Sequence, residues 1–280
     1  MKLLTINTHS LIEDNYGQKL EAFVKVLSEE TPDIIALQEA NQSQEAEIVP
    51  ESNLAGYCPC KKTAVIRQDN HVYNTVRLLR KCGVNYYWTW LPLKCGYGKY
   101  DEGIAVMSRE PIAETNTLLV SNTDDYSNWK TRRLLGISTV SNPDEWFYSV
   151  HFGWWDDEQE PFEMQWKKTD AYMKKHHTVW LMGDFNNPAQ IQDEGYDMIR
   201  KSGWHDSYTD AKNKDNGITV KGVIDGWRNK ISSSEGMRID HIWSGRKEKI
   251  RSCRVVFNGK EYPVISDHYG VMIEYERTGL

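Results

Sequence analysis

The fold of this 280-residue chain is decided by one segment, Thr178-Val179-Trp180-Leu181-Met182-Gly183-Asp184-Phe185-Asn186, in which an apolar run stops abruptly at polar residues. The first five side chains are β-branched, aromatic or aliphatic, which predicts a buried β-strand. The glycine, aspartate and asparagine that follow suit a tight turn. Because ligand sites of α/β sheets favour the carboxyl ends of strands, this turn is also a candidate for a functional site.

A helix and another strand precede this segment. The strand is predicted over residues 146–152, and the helix carries one apolar face formed by Phe162, Trp166, Thr169 and Met173. The amino-terminal region repeats this order. Strands over residues 3–6 and 33–37 flank a helix whose apolar face is Leu20, Phe23, Val24 and Leu27. Two similar halves predict two packed sheets with outer helices, and we expect one domain over residues 1–280.

Further elements follow from the same patterns. Residues 71–81 predict a helix that Gly83 ends, and residues 211–236, which are rich in Lys, Asn, Gly and Ser, predict a surface loop. Strands are predicted over five more apolar runs, at residues 103–108, 134–140, 237–243, 254–257 and 269–275. The chain is therefore of the α/β class.

The whole-chain composition limits the partners and the compartment. The formal net charge is −6, and Lys and Arg form no long run, which disfavours long nucleic acid as a partner. No apolar stretch approaches the roughly 20 residues that span a bilayer, and the amino terminus becomes polar too early for a signal peptide. With five scattered cysteines, an odd number, these features predict a cytoplasmic protein with reduced thiols and no membrane partner.

Acidic, amide and imidazole side chains stand where the predicted apolar strands end. They are Asn7, Glu39, His151, Asp184, Asn186, Asp240, Asp267 and His268. Each one alone suits a turn or a solvated strand end. As a set, carboxylate and amide oxygens with little Cys match the ligand preference of Mg²⁺ or Mn²⁺, and they do not match that of structural zinc.

Such a set fits the hydrolysis of phosphate esters. Phosphoryl oxygens repel anionic nucleophiles, and a bound hard cation offsets that charge and lowers the pKa of its water. Histidines paired with aspartates can orient or move the proton. The chain has neither a Gly-x-Ser-x-Gly nor a His-Glu-x-x-His motif. Their absence is consistent with attack by water, which requires no covalent enzyme intermediate.

Seven segments, in their order and spacing, resemble the endonuclease/exonuclease/phosphatase superfamily, which has the exonuclease III and DNase I fold. They are residues 5–8 (TINT), 37–39 (LQE), 103–109 (GIAVMSR), 149–152 (SVHF), 183–186 (GDFN), 238–241 (RIDH) and 266–268 (SDH). The resemblance implies a four-layered α/β/β/α sandwich of two packed, mainly antiparallel sheets with outer helices. It also implies a phosphoric ester hydrolase that requires Mg²⁺, which Mn²⁺ can replace.

The resemblance assigns a metal site to three of these residues. Glu39 is the principal metal ligand, Asn7 assists it, and Asp267 approaches the same ion. Whether one or two metal ions act is left open by the sequence.

The resemblance assigns catalytic roles to five more. Asp184 and Asn186 position or deprotonate the attacking water and hold the phosphate, Asp240 orients His268, and His151 stabilises the phosphoryl oxygens. Whether Asp184 or His268 is the general base also stays open.

Local sequence narrows the choice of ester. Trp154 and Trp155 follow a predicted strand directly, with two aspartates after them, and Asp225 and Trp227 again place an acid near an aromatic ring. Such acids would repel a nucleic-acid backbone but accept hydrogen bonds from sugar hydroxyls, and the rings offer stacking surfaces. With Arg132, these residues form the predicted substrate-binding set. We expect further polar contacts from residues 96–102 (GYGKYDE). With residues 7–10 (NTHS), these aromatic and acidic residues resemble the bacterial branch of the superfamily that contains maltose 6'-phosphate phosphatase.

The favoured interpretation is a phosphatase that acts on a small phosphorylated sugar such as maltose 6'-phosphate. A DNA or RNA nuclease of the same superfamily is one alternative, and it would show a steep salt dependence. A catalytically inactive binding module is the other, and it would bind without turnover. The tryptophans also suit a purely structural role, since Trp is mostly buried in proteins.

Overall fold

The computed structural model describes residues 1–60, 64–176, 178–222, 224, 227 and 236–277. Within them, one sheet contains eight strands: β1 (Lys2–Asn7), β2 (Ile34–Gln38), β3 (Gln42–Ser43), β4 (Tyr87–Gly96), β5 (Tyr100–Ser108), β11 (Asn213–Lys214), β13 (Lys249–Val256) and β14 (Gly270–Glu276). Their order is β11-β13-β14-β1-β2-β5-β3, and β4 also pairs with β5.

The second sheet has six strands in the described part of the chain: β6 (Ile112–Leu119), β7 (Arg133–Thr139), β8 (Asn142–His151), β9 (Thr178–Asp184), β10 (His205–Asp206) and β12 (Asp240–Ser244). Their order is β10-β12-β9-β8-β7-β6. Most neighbouring strands are antiparallel, and the parallel pairs among the described strands are β1 with β2, β8 with β9 and β11 with β13. The predicted pair of mainly antiparallel sheets is confirmed.

Helices cover the outer face of each sheet, which gives four layers. The helices are α1 (Tyr16–Glu30), α2 (His71–Lys81), α3 (Phe162–Met173), α4 (Gly195–Lys201) and the short α5 (Ser207–Asp210). Leu27 of α1 and Leu79 of α2 share a buried cluster with Ile6 of the first sheet. Trp166 of α3 shares another with Leu181 of the second sheet.

A third cluster fills the space between the two sheets. Because side chains alternate along a strand, β1 sends Leu4 and Ile6 toward the helices and Leu3 toward the other sheet. The inter-sheet cluster is fully or almost fully buried and includes Leu3, Ile34, Val106, Ile137, Trp180 and Met182. Each such side chain stabilises the fold by about 1.5–3 kcal/mol.

The helix ends follow local chemistry. α1 ends at Glu30, and its C-cap Thr31 has a left-handed φ of 43° and is followed by Pro32. α2 begins after Asn70, whose side-chain oxygen accepts hydrogen bonds from the backbone N–H groups of Val72 and Tyr73 at 3.0 Å each. These caps fix the carboxyl end of α1 and the amino end of α2, the two helices that pack on the first sheet.

Several strands and boundaries differ from the sequence interpretation. The two-residue strands β3, β10 and β11 were not predicted, β8 begins at Asn142 and not at residue 146, and β13 begins at Lys249 and not at residue 254. β4 was not predicted, and it contains Pro92, after which its register with β5 shifts. β6 was not predicted either, because it is a half-exposed edge strand without apolar alternation. The strand predicted from residue 237 begins only at Asp240, since Met237 instead forms an isolated bridge with Val220.

Among the described residues, no helix combines the length and the apolar character that a bilayer crossing requires.

Candidate active site

Three neighbouring strands of the second sheet bring polar side chains into one row. The register pairs His151 of β8 with Asp184 of β9, and Asp184 with Asp240 of β12. Asp240 begins β12 and the other two end their strands. Because β12 runs antiparallel to β9, all three nevertheless lie at the same edge of the sheet. All three are buried. A slip of one residue would turn a side chain to the other face, so this register fixes the row.

Gly183 allows β9 to carry Asp184 to this edge. A Cβ at position 183 would lie 2.0 Å from the Val150 carbonyl oxygen and 2.9 Å from Gln38 Nε2. No side chain fits in that space, because the neighbouring strand and the facing sheet approach too closely. The glycine of the predicted turn is therefore a packing requirement.

Asn7 joins the ends of the two sheets. It is the last residue of β1, and its Nδ2 donates to Glu39 Oε1 at 2.8 Å and to Asp184 Oδ2 at 3.2 Å. Glu39 follows β2 with a left-handed φ of 48°. Burial of its carboxylate and the negative charge of Glu102 raise the pKa of Glu39.

Asp240 holds His268 in place. The Nδ1 of His268 lies 3.0 Å from Asp240 Oδ2, and its Nε2 lies 3.8 Å from Asp184 Oδ2. Burial opposes protonation of this imidazole, but the charges of Asp240 and Asp184 dominate and raise the pKa of His268 well above its ordinary value. The two carboxylates therefore favour the protonated form of the ring beside Asp184.

Asp184 stands at the centre of the row. Its Oδ1 accepts a hydrogen bond from the backbone N–H of Asn186 at 2.9 Å, and its Oδ2 accepts from Asn7. Burial raises its pKa, the charge of His268 lowers it, and the charge of Asp240 raises it again, with a result of about 7.

His151 flanks Asp184 on the other side. Its Nε2 lies 3.6 Å from Asp184 Oδ2, and its Nδ1 has no hydrogen-bond partner among the described residues. Burial, followed by the positive charges of Arg132 and Lys94, lowers the pKa of His151 well below its ordinary value. The pKa values of the two histidines of the row are thus shifted in opposite directions, that of His151 down and that of His268 up.

The Asn186 side chain is fixed at both ends. Its Nδ2 donates to the Phe152 carbonyl at 3.0 Å, and its Oδ1 accepts from Trp227 Nε1 at 3.0 Å. The orientation of the amide follows from these two partners. Trp227 is therefore a buried holder of Asn186, and it packs with Ile224 and Ile239.

A second cluster contains His9, Glu13 and Asp267 and is half-buried. The Nδ1 of His9 lies 2.7 Å from Glu13 Oε1 and 3.9 Å from Asp267 Oδ1. Burial opposes the charged imidazole, but the hydrogen bond to Glu13 and the charges of Glu39 and Asp267 raise the pKa of His9 to about 9. The sequence analysis gave no role to His9 or Glu13.

These groups surround a cavity of about 320 Å³. Eight predicted site residues line it: Glu39, Arg132, His151, Trp154, Asp184, Asn186, Asp267 and His268. Asn7 and Asp240 lie behind this wall and hold residues that line it. The cavity is also lined by Tyr97 and Glu102, from the segment expected to supply further polar contacts, and by His9, Lys94 and Trp129, to which the sequence assigned no role.

Buried charges form one part of the wall. Lys94 Nζ lies 3.0 Å from Glu102 Oε1, its cross-strand neighbour, and donates to the Trp129 carbonyl at 2.8 Å. Arg132 is 2% exposed, and its Nη1 donates to the same carbonyl at 3.0 Å. Its Nε has no partner in the part of the chain that the structure describes. The sequence shows a lysine directly after Pro92 and Leu93. Its pairing with Glu102, however, depends on a strand register that follows a β-bulge.

The structure distributes the other predicted substrate-binding residues unevenly. Trp154 lines the cavity. Trp155 packs against the core beneath α3 and is not among the lining residues, and Trp227 holds Asn186. Asp225 lies outside the described residues. Two aspartates follow Trp155 and were expected to accept hydrogen bonds from sugar hydroxyls. One of them, Asp157, instead forms an ion pair with Lys130 at 2.8 Å.

The oxygen atoms at this edge fit a hard divalent cation. The carboxylates of Glu39, Asp184 and Asp267 line one cavity, and the Asn7 amide contacts two of them. Burial and neighbouring carboxylates raise the pKa of Glu39 and of Asp184, so a cation would relieve an electrostatic penalty that is already present. Such oxygen donors suit Mg²⁺, Mn²⁺ or Ca²⁺.

Comparisons with known proteins agree with this geometry. A family model described as the Endonuclease/Exonuclease/phosphatase family matches residues 4–268. An endonuclease/exonuclease/phosphatase family protein from Leptotrichia buccalis C-1013-b is 29% identical with a TM-score of 0.86, over 99% of this chain and 100% of that one. A comparison with curated proteins gives no significant match.

Two more distant structures share the fold. The mannosyl-6-phosphatase from Bacteroides thetaiotaomicron VPI-5482 is 17% identical with a TM-score of 0.63, and the 3' phosphatase from Neisseria, bound to a product DNA hairpin, is 18% identical with a TM-score of 0.63. Each match covers 99% of this chain and 100% of the other. The family match spans most of the sequence and agrees with both the sandwich fold and the row of polar strand ends, so the chain belongs to the endonuclease/exonuclease/phosphatase family, whose members are metal-dependent phosphoesterases.

Proposed function

We propose that this protein is a phosphomonoesterase that removes the phosphate of a small phosphorylated sugar, with Mg²⁺ as its metal ion. The cavity carries this proposal. Its volume of about 320 Å³ lies at the lower end of the roughly 300–1,000 Å³ found for small-ligand pockets. A polynucleotide would need an extended basic surface, whereas the chain has a net charge of −6.

The family neighbours support a phosphoester and leave its kind open. One structure that shares the fold is a mannosyl-6-phosphatase, and another is a 3' phosphatase bound to DNA. Since one fold carries several activities, the choice between a sugar phosphate and a nucleic acid rests on the cavity itself. The exposed aromatic rings Tyr97 and Trp129 on its wall offer stacking surfaces to a sugar or to a base, so the preference for the sugar phosphate rests on the size of the cavity and on the net charge.

Each side chain of the row has its own role in the reaction, which follows from its position. Asp184 lies between His151 and His268 and takes the proton of the attacking water. His268, held by Asp240, places a positive charge toward the phosphoryl oxygens. The Asn186 amide donates one proton to a backbone carbonyl and keeps the second for the phosphate.

The metal ion would be held by Glu39, with Asn7 and Asp267 beside it. When bound, it supplies positive charge that offsets the charge of the phosphoryl oxygens.

The proposal is tested by incubating the protein with Mg²⁺ and a panel of sugar phosphates, nucleotides and supercoiled plasmid, and by measuring phosphate release beside nicking. We expect phosphate release from sugar monoesters and intact plasmid. Asp184→Asn should lower kcat by about 10³-fold, because both proton transfer and the geometry of the row depend on this carboxylate.

Asp193→Asn is the matched control. Asp193 has a side chain that is 86% exposed and a left-handed φ of 58°, which asparagine also tolerates, so this variant should keep wild-type activity. Plasmid nicking without release of phosphate from sugars would show a nuclease instead. Absence of turnover with every substrate would indicate a binding module.

A further inference from the structure

Two buried cations line the cavity, and only one of them has a carboxylate partner. Lys94 Nζ lies 3.0 Å from Glu102 Oε1, and both side chains are 7% exposed. Arg132 is 2% exposed, and among the described residues no carboxylate oxygen lies within 4.0 Å of its guanidinium. Removing an ion from water is unfavourable unless an opposite charge compensates it. Arg132 is therefore a buried cation without a counterion of its own.

One backbone oxygen holds both cations. The Trp129 carbonyl accepts hydrogen bonds from Lys94 Nζ at 2.8 Å and from Arg132 Nη1 at 3.0 Å. Nη1 also donates to the Thr131 carbonyl at 3.3 Å, whereas the Nε of Arg132 has no acceptor in the described part of the chain. A guanidinium carries five N–H bonds and an ammonium carries three. Both cations thus keep unused donors in the wall of the cavity.

The carboxylates of the site do not remove the cost of burying these charges. Burial lowers the pKa of Arg132, although the charges of Glu102 and Glu39 oppose this shift. Burial, and then the charge of Arg132, also lower the pKa of Lys94. The two cations therefore destabilise each other, and an anion that contacts both would relieve this repulsion.

The two cations lie on the His151 side of the catalytic row. After burial, the charges of Arg132 and Lys94 are the main causes that lower the pKa of His151. Asp184 lies between the two histidines, with Oδ2 at 3.6 Å from His151 Nε2 and at 3.8 Å from His268 Nε2. A phosphoryl group beside Asp184 would therefore have His268 on one side and the two cations on the other.

We propose that Lys94 and Arg132 select phosphate monoesters over diesters, by binding the additional anionic oxygen that only a monoester presents. The inference rests on the proposed function, because it assumes that the phosphoryl group lies beside Asp184. A monoester carries close to two negative charges near neutral pH and has three oxygens that accept hydrogen bonds strongly. In a diester, one of these oxygens bears a second organic group and no charge, so the buried cations stay uncompensated. Glu102 acts as a positioning residue for Lys94.

The test compares two esters with the same leaving group in Mg²⁺: p-nitrophenyl phosphate, a monoester, and methyl p-nitrophenyl phosphate, a diester. Release of p-nitrophenol is measured with wild-type protein, Arg132→Met and Arg132→Lys. We expect Arg132→Met to lower kcat/KM about 100-fold for the monoester and about threefold or less for the diester, since only the monoester loses a hydrogen bond between charged groups. Arg132→Lys, which keeps the charge, should recover about tenfold of the loss.

Arg133→Met is the matched control. Arg133 is the neighbouring arginine, but it pairs with Asp124 and does not line the cavity, so both rates should stay at the wild-type level. A second variant, Lys94→Met combined with Glu102→Gln, removes the other cation without leaving a buried carboxylate unpaired. It should lower the preference for the monoester about tenfold, because Arg132 remains. Equal losses for both esters in these variants would show a purely structural role and overturn the proposal.

A binding measurement separates this inference from the proposed function. In calorimetric titration in Mg²⁺, Arg132→Met should weaken the binding of inorganic phosphate about 100-fold and leave that of dimethyl phosphate unchanged. If the wild-type protein hydrolyses no ester but binds phosphate through Arg132, the proposed activity fails and the anion site stands. If it hydrolyses sugar phosphates while phosphate binding and the monoester preference are independent of Arg132, the activity stands and this inference fails.

Discussion

Two histidine–carboxylate pairs at the same cavity are built in different ways. His268 and Asp240 come from segments 28 residues apart, meet at 3.0 Å and are fully buried. His9 and Glu13 are four residues apart in one segment, meet at 2.7 Å and are half-buried, and Lys19 also contacts Glu13. The first pair exists only in the complete fold, whereas the second depends mainly on a local turn.

This difference indicates what each pair contributes. Burial removes water that would otherwise screen the first pair, so its charges act strongly on Asp184. The second pair is partly solvated, and its carboxylate has a second cation beside it. We therefore expect loss of the buried pair to affect the rate, and loss of the local pair to affect mainly the shape of the cavity wall.

The largest effect is expected from Asp240→Asn. The amide keeps a hydrogen bond to His268 Nδ1 but removes the charge that keeps the imidazole protonated, so kcat should fall by about 10²–10⁴-fold. Steady-state kinetics and thermal unfolding should be measured together. A loss of less than threefold, with an unchanged unfolding transition, would show that His268 acts without this partner.

An intermediate effect, on stability alone, is expected from a third carboxylate network far from the cavity. Glu30 accepts hydrogen bonds from Lys2, Tyr262 and Arg254, and although burial opposes its charge these partners lower its pKa to about 2. Glu30→Gln should lower the free energy of unfolding by about 1–2 kcal/mol at pH 7 and leave kcat unchanged.

The pH dependence of this effect has a definite sign. Because the folded-state pKa of Glu30 lies below its ordinary value of 4.5, its contribution is complete above pH 4.5 and is lost as the pH falls toward 2. Urea unfolding of wild type and Glu30→Gln should therefore converge as the pH falls below 4.5. A constant difference down to pH 3 would contradict this account.

The smallest effect is expected from Glu13→Gln. The charge of Glu13 is partly solvated and has Lys19 as a second partner, so its loss should change the free energy of transition-state binding by at most about 1 kcal/mol and lower kcat/KM by about fivefold or less. The effect should appear mainly in KM. If this variant lost as much activity as Asp240→Asn, the comparison of the two pairs would be wrong, and His9 would belong to the chemistry itself.

The sequence predicted the sheets and the row of polar residues because these depend on local signals. An apolar run that stops at Asp184 or Glu39 marks a strand end without knowledge of its neighbours. β6 gave no such signal, since its side chains are half-exposed at a sheet edge. The polar strand ends were therefore recognisable, and the edge strand was not.

The sequence could not predict those site residues whose positions depend on strand register or on the path of a loop. Lys94 meets Glu102 only because of the shifted pairing of β4 with β5, and Trp129 reaches the cavity through a loop that buried cations hold. Trp155 and Trp227 were predicted to face the substrate from their position in the sequence. Trp155 instead packs against the buried cluster that includes α3, and Trp227 instead donates a hydrogen bond to Asn186.

The two hydrogen bonds of the Asn7 amide have a consequence for how the protein matures. One goes to Glu39, which follows β2 of the first sheet, and the other to Asp184, the last residue of β9 in the second, so neither sheet alone contains the complete site. A nascent chain or a refolding intermediate with only one sheet assembled is therefore inert toward esters. During refolding from denaturant, the return of turnover therefore reports the packing of the two sheets against each other, and it should lag behind the return of far-ultraviolet circular dichroism.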